Sequence, residues 1–184
     1  MHAWPQLDRL ARRESLWCLR LNSACTRRAV RGYFSTVSRL GDGMFWYALM
    51  LALPLFDGAR GLAASAHLAL TGGVALLLYR SLKRWTRRPR PCAADMRIRA
   101  WVAPLDEFSF PSGHTLHAMS FIIVALAYYP GLAWLLVPFT LSVAMSRVVL
   151  GLHYPSDVLA ATGIAAVLST LSLSLASPGF MPFS

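Results

Sequence analysis

Residues 158–175 read VLAATGIAAVLSTLSLSL, a run without one charged side chain. An apolar stretch of about 18 residues or more is long enough for a helix to cross a bilayer, whereas one of about 10–14 suits a buried core helix. Working back from it, apolar runs recur at 132–150, 115–129, 62–79 and 44–56, with breaks at Pro130-Gly131 and Asp57-Gly58. The pattern predicts five spans of about 20 residues each once interfacial ends are included, the first extending towards Leu40. The fold class expected is all-α: a polytopic membrane helical bundle of about five transmembrane helices with an N-terminal interfacial amphipathic helix.

Bulk composition agrees with this reading. The chain has 184 residues, 56% hydrophobic and only 14% charged, and a mean hydropathy of +0.48. It is one domain long and too apolar for an ordinary soluble domain. The net charge of +10 sits beside long apolar runs, so the basic residues read as anchors at anionic lipid headgroups and not as a nucleic-acid surface. The partners expected are the lipid bilayer and a membrane lipid; oligomeric state is not read. Cys18, Cys25 and Cys92 form no CxxC pattern and read as free thiols. No cleavable signal is expected, because the first forty residues carry eight arginines and no continuous apolar core. Instead, Leu7, Leu10, Trp17 and Leu21 recur at helical spacing while Arg9, Arg12, Arg13, Arg20 and Arg27 interrupt any spanning run. The division expected is therefore an interfacial segment over 1–40 and a membrane domain over 41–184.

A chain that crosses once per span puts the 80–110 segment, the start of the third span and the turn between the fourth and fifth on one face. Three polar clusters meet there: KRWTRRPRP at 83–91, PSGH at 111–114 and SRVVLGLHYPSD at 146–157. Lys83 and Arg90 supply fixed positive charge, and Arg147 adds a planar fork that can hold two phosphate oxygens. Pro111 predicts that Ser112, Gly113 and His114 form a first helical turn whose N–H groups point at an anion, with Gly113 permitting close approach. Pro155 predicts the start of the fifth span, with Asp157 in its first turn and His153 just before it. A carboxylate there can accept one imidazole proton and leave the other ring nitrogen ready to attack phosphorus. His114, across the site, is the candidate acid for the leaving oxygen and the base for the water that follows.

Lys83 followed after six residues by Arg90-Pro91, then Pro111-Ser112-Gly113-His114, then Ser146-Arg147 with five residues to His153 and three more to Asp157, resemble the three signature motifs of the type 2 phosphatidic acid phosphatase superfamily. Other members include bacterial undecaprenyl pyrophosphate phosphatases and vanadium haloperoxidases. All three motifs match in order and spacing, over roughly the last two-thirds of the chain. The resemblance implies a helical membrane domain and a phosphatase that needs no metal or other cofactor. It also implies His153 as nucleophile, Asp157 as its partner, His114 as acid, and Lys83, Arg90, Ser112, Gly113 and Arg147 as phosphate ligands. The substrates implied are lipid phosphates or pyrophosphates: undecaprenyl pyrophosphate, phosphatidate or phosphatidylglycerophosphate. Many membrane members have three spans before the first motif, where this sequence has two and an amphipathic segment.

Two other functions share the pattern: a vanadate-dependent haloperoxidase, which five spans disfavour, and a lipid-binding scaffold with an inactive site. Arg84, Arg87 and Arg88 read as headgroup anchors. His117, one turn beyond His114, lacks a third ligand at metal-binding spacing, and His67, alone in the second span, reads as a polar contact between helices. The expected location is the cell (inner) membrane. The positive-inside tendency places the motif face in the cytoplasm, whereas the resemblance implies the periplasmic side.

Overall fold

The computed structural model of the chain describes the backbone of residues 5–176 and the side chains of residues 13–176. Helix α1 (Pro5–Ser23) ends in a tight turn at Ala24–Thr26, and α2 (Arg28–Arg39) runs through a π turn at Leu40–Met44 into α3 (Phe45–Thr86). A short α4 (Pro91–Ala94) precedes an irregular loop, after which α5 (Gly113–Tyr128), α6 (Ala133–Val149) and α7 (Pro155–Ala176) complete the chain.

Helix α3 is two arms. It leaves helical geometry at Asp57 (φ −135°) and Gly58 (φ 50°), the break expected from the sequence, and doubles back so that Ser65 Oγ donates to Met50 O at 2.7 Å. Three helical runs are long and apolar enough to cross a membrane: Arg28–Thr86, Pro130–Val149 and Pro155–Ala176. Because the first is folded in two and Gly113–Tyr128 is a shorter apolar helix, the described residues contain five apolar helical passages. Leu55, Leu70, Leu77, Leu159 and Leu175 are exposed on the outside of the bundle, the surface a bilayer would solvate.

Helix α5 is central and packs against α3, α6 and α7. Its Phe121, Ile122 and Val124 join Trp46, Leu53, Leu68, Leu136 and Val143 in the main core. Half-buried hydroxyls are tied across helices: His67 Nε2 lies 2.7 Å from Ser172 Oγ and its Nδ1 3.1 Å from Tyr128 Oη. His67 is thus an interhelical contact. At the end of the bundle holding the α3 reversal, Tyr129 donates to Asp57 Oδ2 at 2.7 Å and Arg60 Nη2 to Tyr128 O at 2.9 Å. The α3 reversal and the α5–α6 turn therefore share one end, and the motif-bearing termini share the other.

The N-terminal stretch is more integrated than an amphipathic helix lying apart in the interface. Asn22 is buried and donates to Arg99 O at 2.9 Å and Val149 O at 3.0 Å, while Arg99 N donates to its Oδ1 at 3.0 Å. Cys18 and Cys25 are fully buried beside it. Of the apolar stripe read from the sequence, Leu21 packs inward and Trp17 is exposed; Leu7, Leu10, Arg9 and Arg12 lie outside the described side chains. Residue 40, where the sequence divides, opens a π turn that leaves helical geometry at Gly43 before α3 begins.

Candidate active site

Each motif sits at a helix end. Lys83 lies in the last turn of α3, which stops where Arg87 turns left-handed (φ 47°). The chain then extends through Arg90, and Pro91 opens α4. Ser112 takes the extended N-cap conformation with Gly113 and His114 as the first two residues of α5, positions whose N–H groups have no partner within the helix. Arg147 is in the last turn of α6. Gly151 then adopts φ 78°, and a Cβ there would lie 2.7 Å from Arg99 O, so the turn that carries the chain to His153 needs glycine. Pro155 starts α7 with Asp157 in its first turn.

These ends enclose a cavity of about 360 Å³. Lys83, Arg90, Gly113, His114, Arg147 and His153 line its polar end together with Asp42 and Asp106, and it continues between the arms of α3 past Trp46, Met50, Gly72, Gly73 and Phe121. Of the residues singled out in the sequence, Ser112 and Asp157 stand behind this wall. Ser112 Oγ is 2.9 Å from Thr115 Oγ1, and its N–H donates to Asp157 O at 3.3 Å.

His153 is buried, with Nδ1 2.6 Å from Ser109 O. A carbonyl can only accept, so Nδ1 carries the proton. Its Nε2 lies 3.2 Å from Arg90 Nη1, itself only a donor, so Nε2 is the lone-pair nitrogen. Both contacts select one tautomer, with the lone-pair nitrogen facing the cations. Burial, followed by the charges of Arg147, Arg90 and Lys83, holds this ring's pKa well below the usual histidine value. It stays neutral.

The expected pairing of His153 with Asp157 is longer than a hydrogen bond. Asp157 Oδ2 is 3.7 Å from His153 Nδ1 and instead accepts Tyr154 N–H at 2.8 Å. Its Oδ1 accepts from Arg88 Nη1 at 2.6 Å. Arg88 also donates to Ser156 Oγ at 2.7 Å and to Glu14 Oε2 at 2.6 Å, and Glu14 Oε1 accepts Ser156 N–H at 2.8 Å. This corrects the reading of Arg88 as a headgroup anchor: it lies inward and clamps α1 to the start of α7. Arg84 and Arg87 are exposed.

Among the cations, Lys83 donates to both oxygens of Asp106 at 2.7 and 2.6 Å, and Arg90 Nη2 donates to Asp106 Oδ1 at 2.7 Å. Burial alone would raise the Asp106 pKa, but Lys83 and Arg90 outweigh it and keep the group below the usual carboxylate range. Arg147 donates from Nη1 to Ser38 Oγ, while its buried Nε has no hydrogen-bond partner among the described residues. A buried donor left unpaired is costly, and an anion in the cavity would satisfy it. His117 faces backbone carbonyls with both ring nitrogens, Gly113 O at 3.1 Å and Gly72 O at 3.2 Å, and is not presented with His114 as a pair.

Sequence reasoning missed Asp106, Asp42, Glu14, Ser38 and the Ser109 carbonyl. Arg88 carried a signal, since Arg88-Pro89 duplicates the Arg-Pro pair of the first motif, and Asp42 stands between two glycines.

The sequence profile of the PAP2 superfamily matches residues 62–178. The chain is 31% identical over 126 residues to the undecaprenyl-diphosphatase BcrC of Bacillus subtilis, covering 68% of this chain and 65% of that protein. It is 32% identical over 138 residues to the phosphatidylglycerophosphatase B of the same organism, covering 65% and 56%. The chain thus spans less than two-thirds of the length of these curated relatives. The crystal structure of a transmembrane PAP2-type phosphatidylglycerolphosphate phosphatase from Bacillus subtilis superposes with a TM-score of 0.74 at 21% identity, covering 99% of this chain and 91% of that one.

Proposed function

The chain belongs to the PAP2 superfamily, and on that premise we propose that it hydrolyses the terminal phosphate of a membrane lipid phosphate or pyrophosphate through a phosphohistidine at His153. The observation that carries this is the orientation of His153: Nδ1–H fixed on Ser109 O and the Nε2 lone pair directed into a cavity lined by Lys83, Arg90 and Arg147. A phosphoryl group placed there would have its charge offset by the three cations and by the first N–H groups of α5.

In the first half-reaction His153 Nε2 bonds to phosphorus as the bond to the lipid oxygen breaks, and His114 gives a proton to that oxygen. In the second, water attacks phosphorus, the P–N bond breaks, and His114 takes the proton from the water. Asp157 has a positioning role: through Arg88 and Tyr154 N–H it fixes the turn that presents His153. The apolar continuation of the cavity between the arms of α3 supports a lipid tail as the remainder of the substrate. Undecaprenyl pyrophosphate, phosphatidate and phosphatidylglycerophosphate are the substrates proposed, two of these classes being those named in the relatives.

The test is phosphate release by the detergent-purified protein from those three lipids, with chelator present, together with acid-labile labelling from a substrate carrying radioactive terminal phosphate. Release and label are both expected, and both vanish in His153→Ala. Full activity in that variant refutes the mechanism.

A further inference from the structure

One carboxylate of the cavity has no part in the chemistry above. Residues 40–44 read LGDGM and join α2 to α3 through a π-type turn that leaves helical geometry at Gly43. Glycines shape it on both sides of Asp42. Gly43 adopts φ 136°, and a Cβ on Gly41 would lie 2.7 Å from Val143 Cγ2. The turn carries Asp42 to the cavity wall, where Oδ1 lies 3.3 Å from His114 Nε2.

The surroundings give this contact its meaning. The His114 side chain is only 10% exposed, and that of Asp42 is 47% exposed. The same end of the cavity holds Lys83, Arg90 and Arg147, each of which opposes a further positive charge on His114. The other carboxylate there, Asp106, is engaged with Lys83 and Arg90. Asp42 is therefore the acidic group placed to offset a proton on His114.

We propose that Asp42 is a positioning residue for general-acid catalysis: its carboxylate holds the His114 ring and stabilises the imidazolium that protonates the leaving oxygen. The inference rests on the reading of His114 as the acid. Its proton passes to the leaving oxygen as the P–O bond breaks and is replaced by the proton of the attacking water, so Asp42 keeps its charge through both half-reactions. The benefit must depend on the leaving group. A lipid monoester expels an alkoxide and needs the proton, whereas a lipid diphosphate expels a phosphate, a far better leaving group, and needs it much less.

The experiment compares farnesyl phosphate with farnesyl diphosphate, which share one tail and so hold the apolar groove constant, in wild type, Asp42→Asn, Asp42→Glu and His114→Gln. The kcat/KM of Asp42→Asn should fall about 10- to 100-fold on the monoester, within the range that acid–base catalysis contributes, and by no more than about threefold on the diphosphate. His114→Gln should show the same selectivity with a larger loss. Asp42→Glu keeps the charge one methylene farther out and should recover much of the monoester rate. It carries the test should the amide variant unfold, since its loss must still fall on the monoester. Equal losses on both substrates, or none, overturn the role of Asp42 while leaving that of His114 standing. Absence of selectivity in His114→Gln removes the acid assignment itself, and this inference with it.

Discussion

Replacing Arg88 with methionine should unseat α1 from the motif-bearing end of the bundle. The guanidinium makes two 2.6 Å contacts to carboxylates, one to Glu14 and one to Asp157, and lies over the Tyr154 ring at 4.1 Å. Both carboxylates are buried, and methionine would fill the space while leaving both charges uncompensated. Removing one partner of a buried pair costs about 3–5 kcal/mol. The low end applies, because the Arg88 side chain is 25% exposed and Glu14 retains Ser156 N–H. Taking about 3 kcal/mol, and about 2–4 °C per kcal/mol for a chain of this size, the unfolding temperature should fall by roughly 6–12 °C. Cys18 reports the same event locally. Burial, with help from Glu14 and Asp157, pushes its thiol up to about 12, so it should resist alkylation at pH 8 in wild type and react once α1 lifts. Thermal unfolding in detergent and timed labelling with a thiol reagent measure the two. Adding Glu14→Gln to the variant should recover part of the loss, because one of the two stranded charges is then gone. A drop below about 2 °C with Cys18 still protected would refute the clamp.

Two further outcomes follow from charge in the cavity. Because His153 is held neutral well below the usual 6.5, the unfolded chain takes up a proton as pH falls through that value while the folded chain does not. Stability should therefore decline from about pH 6.5 downward, and the slope of unfolding temperature between pH 8 and 5 should be shallower in His153→Gln; an unchanged slope would contradict the assignment. Asp106 occupies donors of Lys83 and Arg90 that a bound oxyanion would need, so Asp106→Asn should tighten inhibition by vanadate about tenfold, equivalent to about 1.4 kcal/mol. A weaker or unaltered inhibition constant would mean that the carboxylate and the anion do not compete.

The helical passages were legible because each is an apolar run bounded by proline, glycine or charge, and the reversal of α3 was written in Asp57-Gly58. Lys83, Arg90, His114, Arg147 and His153 were legible as a set because their spacing fixes them at helix ends on one face. What the sequence hid has two physical causes. Ser109 acts through its backbone carbonyl, which no side-chain pattern announces. Glu14, Asn22, Ser38, Asp42 and Asp106 act through tertiary contacts: Glu14 meets Ser156 across 142 residues of chain and Ser38 meets Arg147 across 109. Arg13, Arg20, Arg27, Arg28 and Arg39 are exposed, while the residues that dock α1 are the few polar ones between them.

Helix α5 has only 16 residues, about 24 Å at 1.5 Å each, against about 30 Å of hydrocarbon in a typical bilayer. With its Tyr128 end level with one edge of that slab, Gly113 and His114 lie roughly 6 Å inside the other. A helix this short leaves the His114 end of the cavity recessed when its other end is level with the slab, so a lipid phosphate drawn to the cations there has to sink below its own headgroup plane. Water has to follow the phosphate down to that depth.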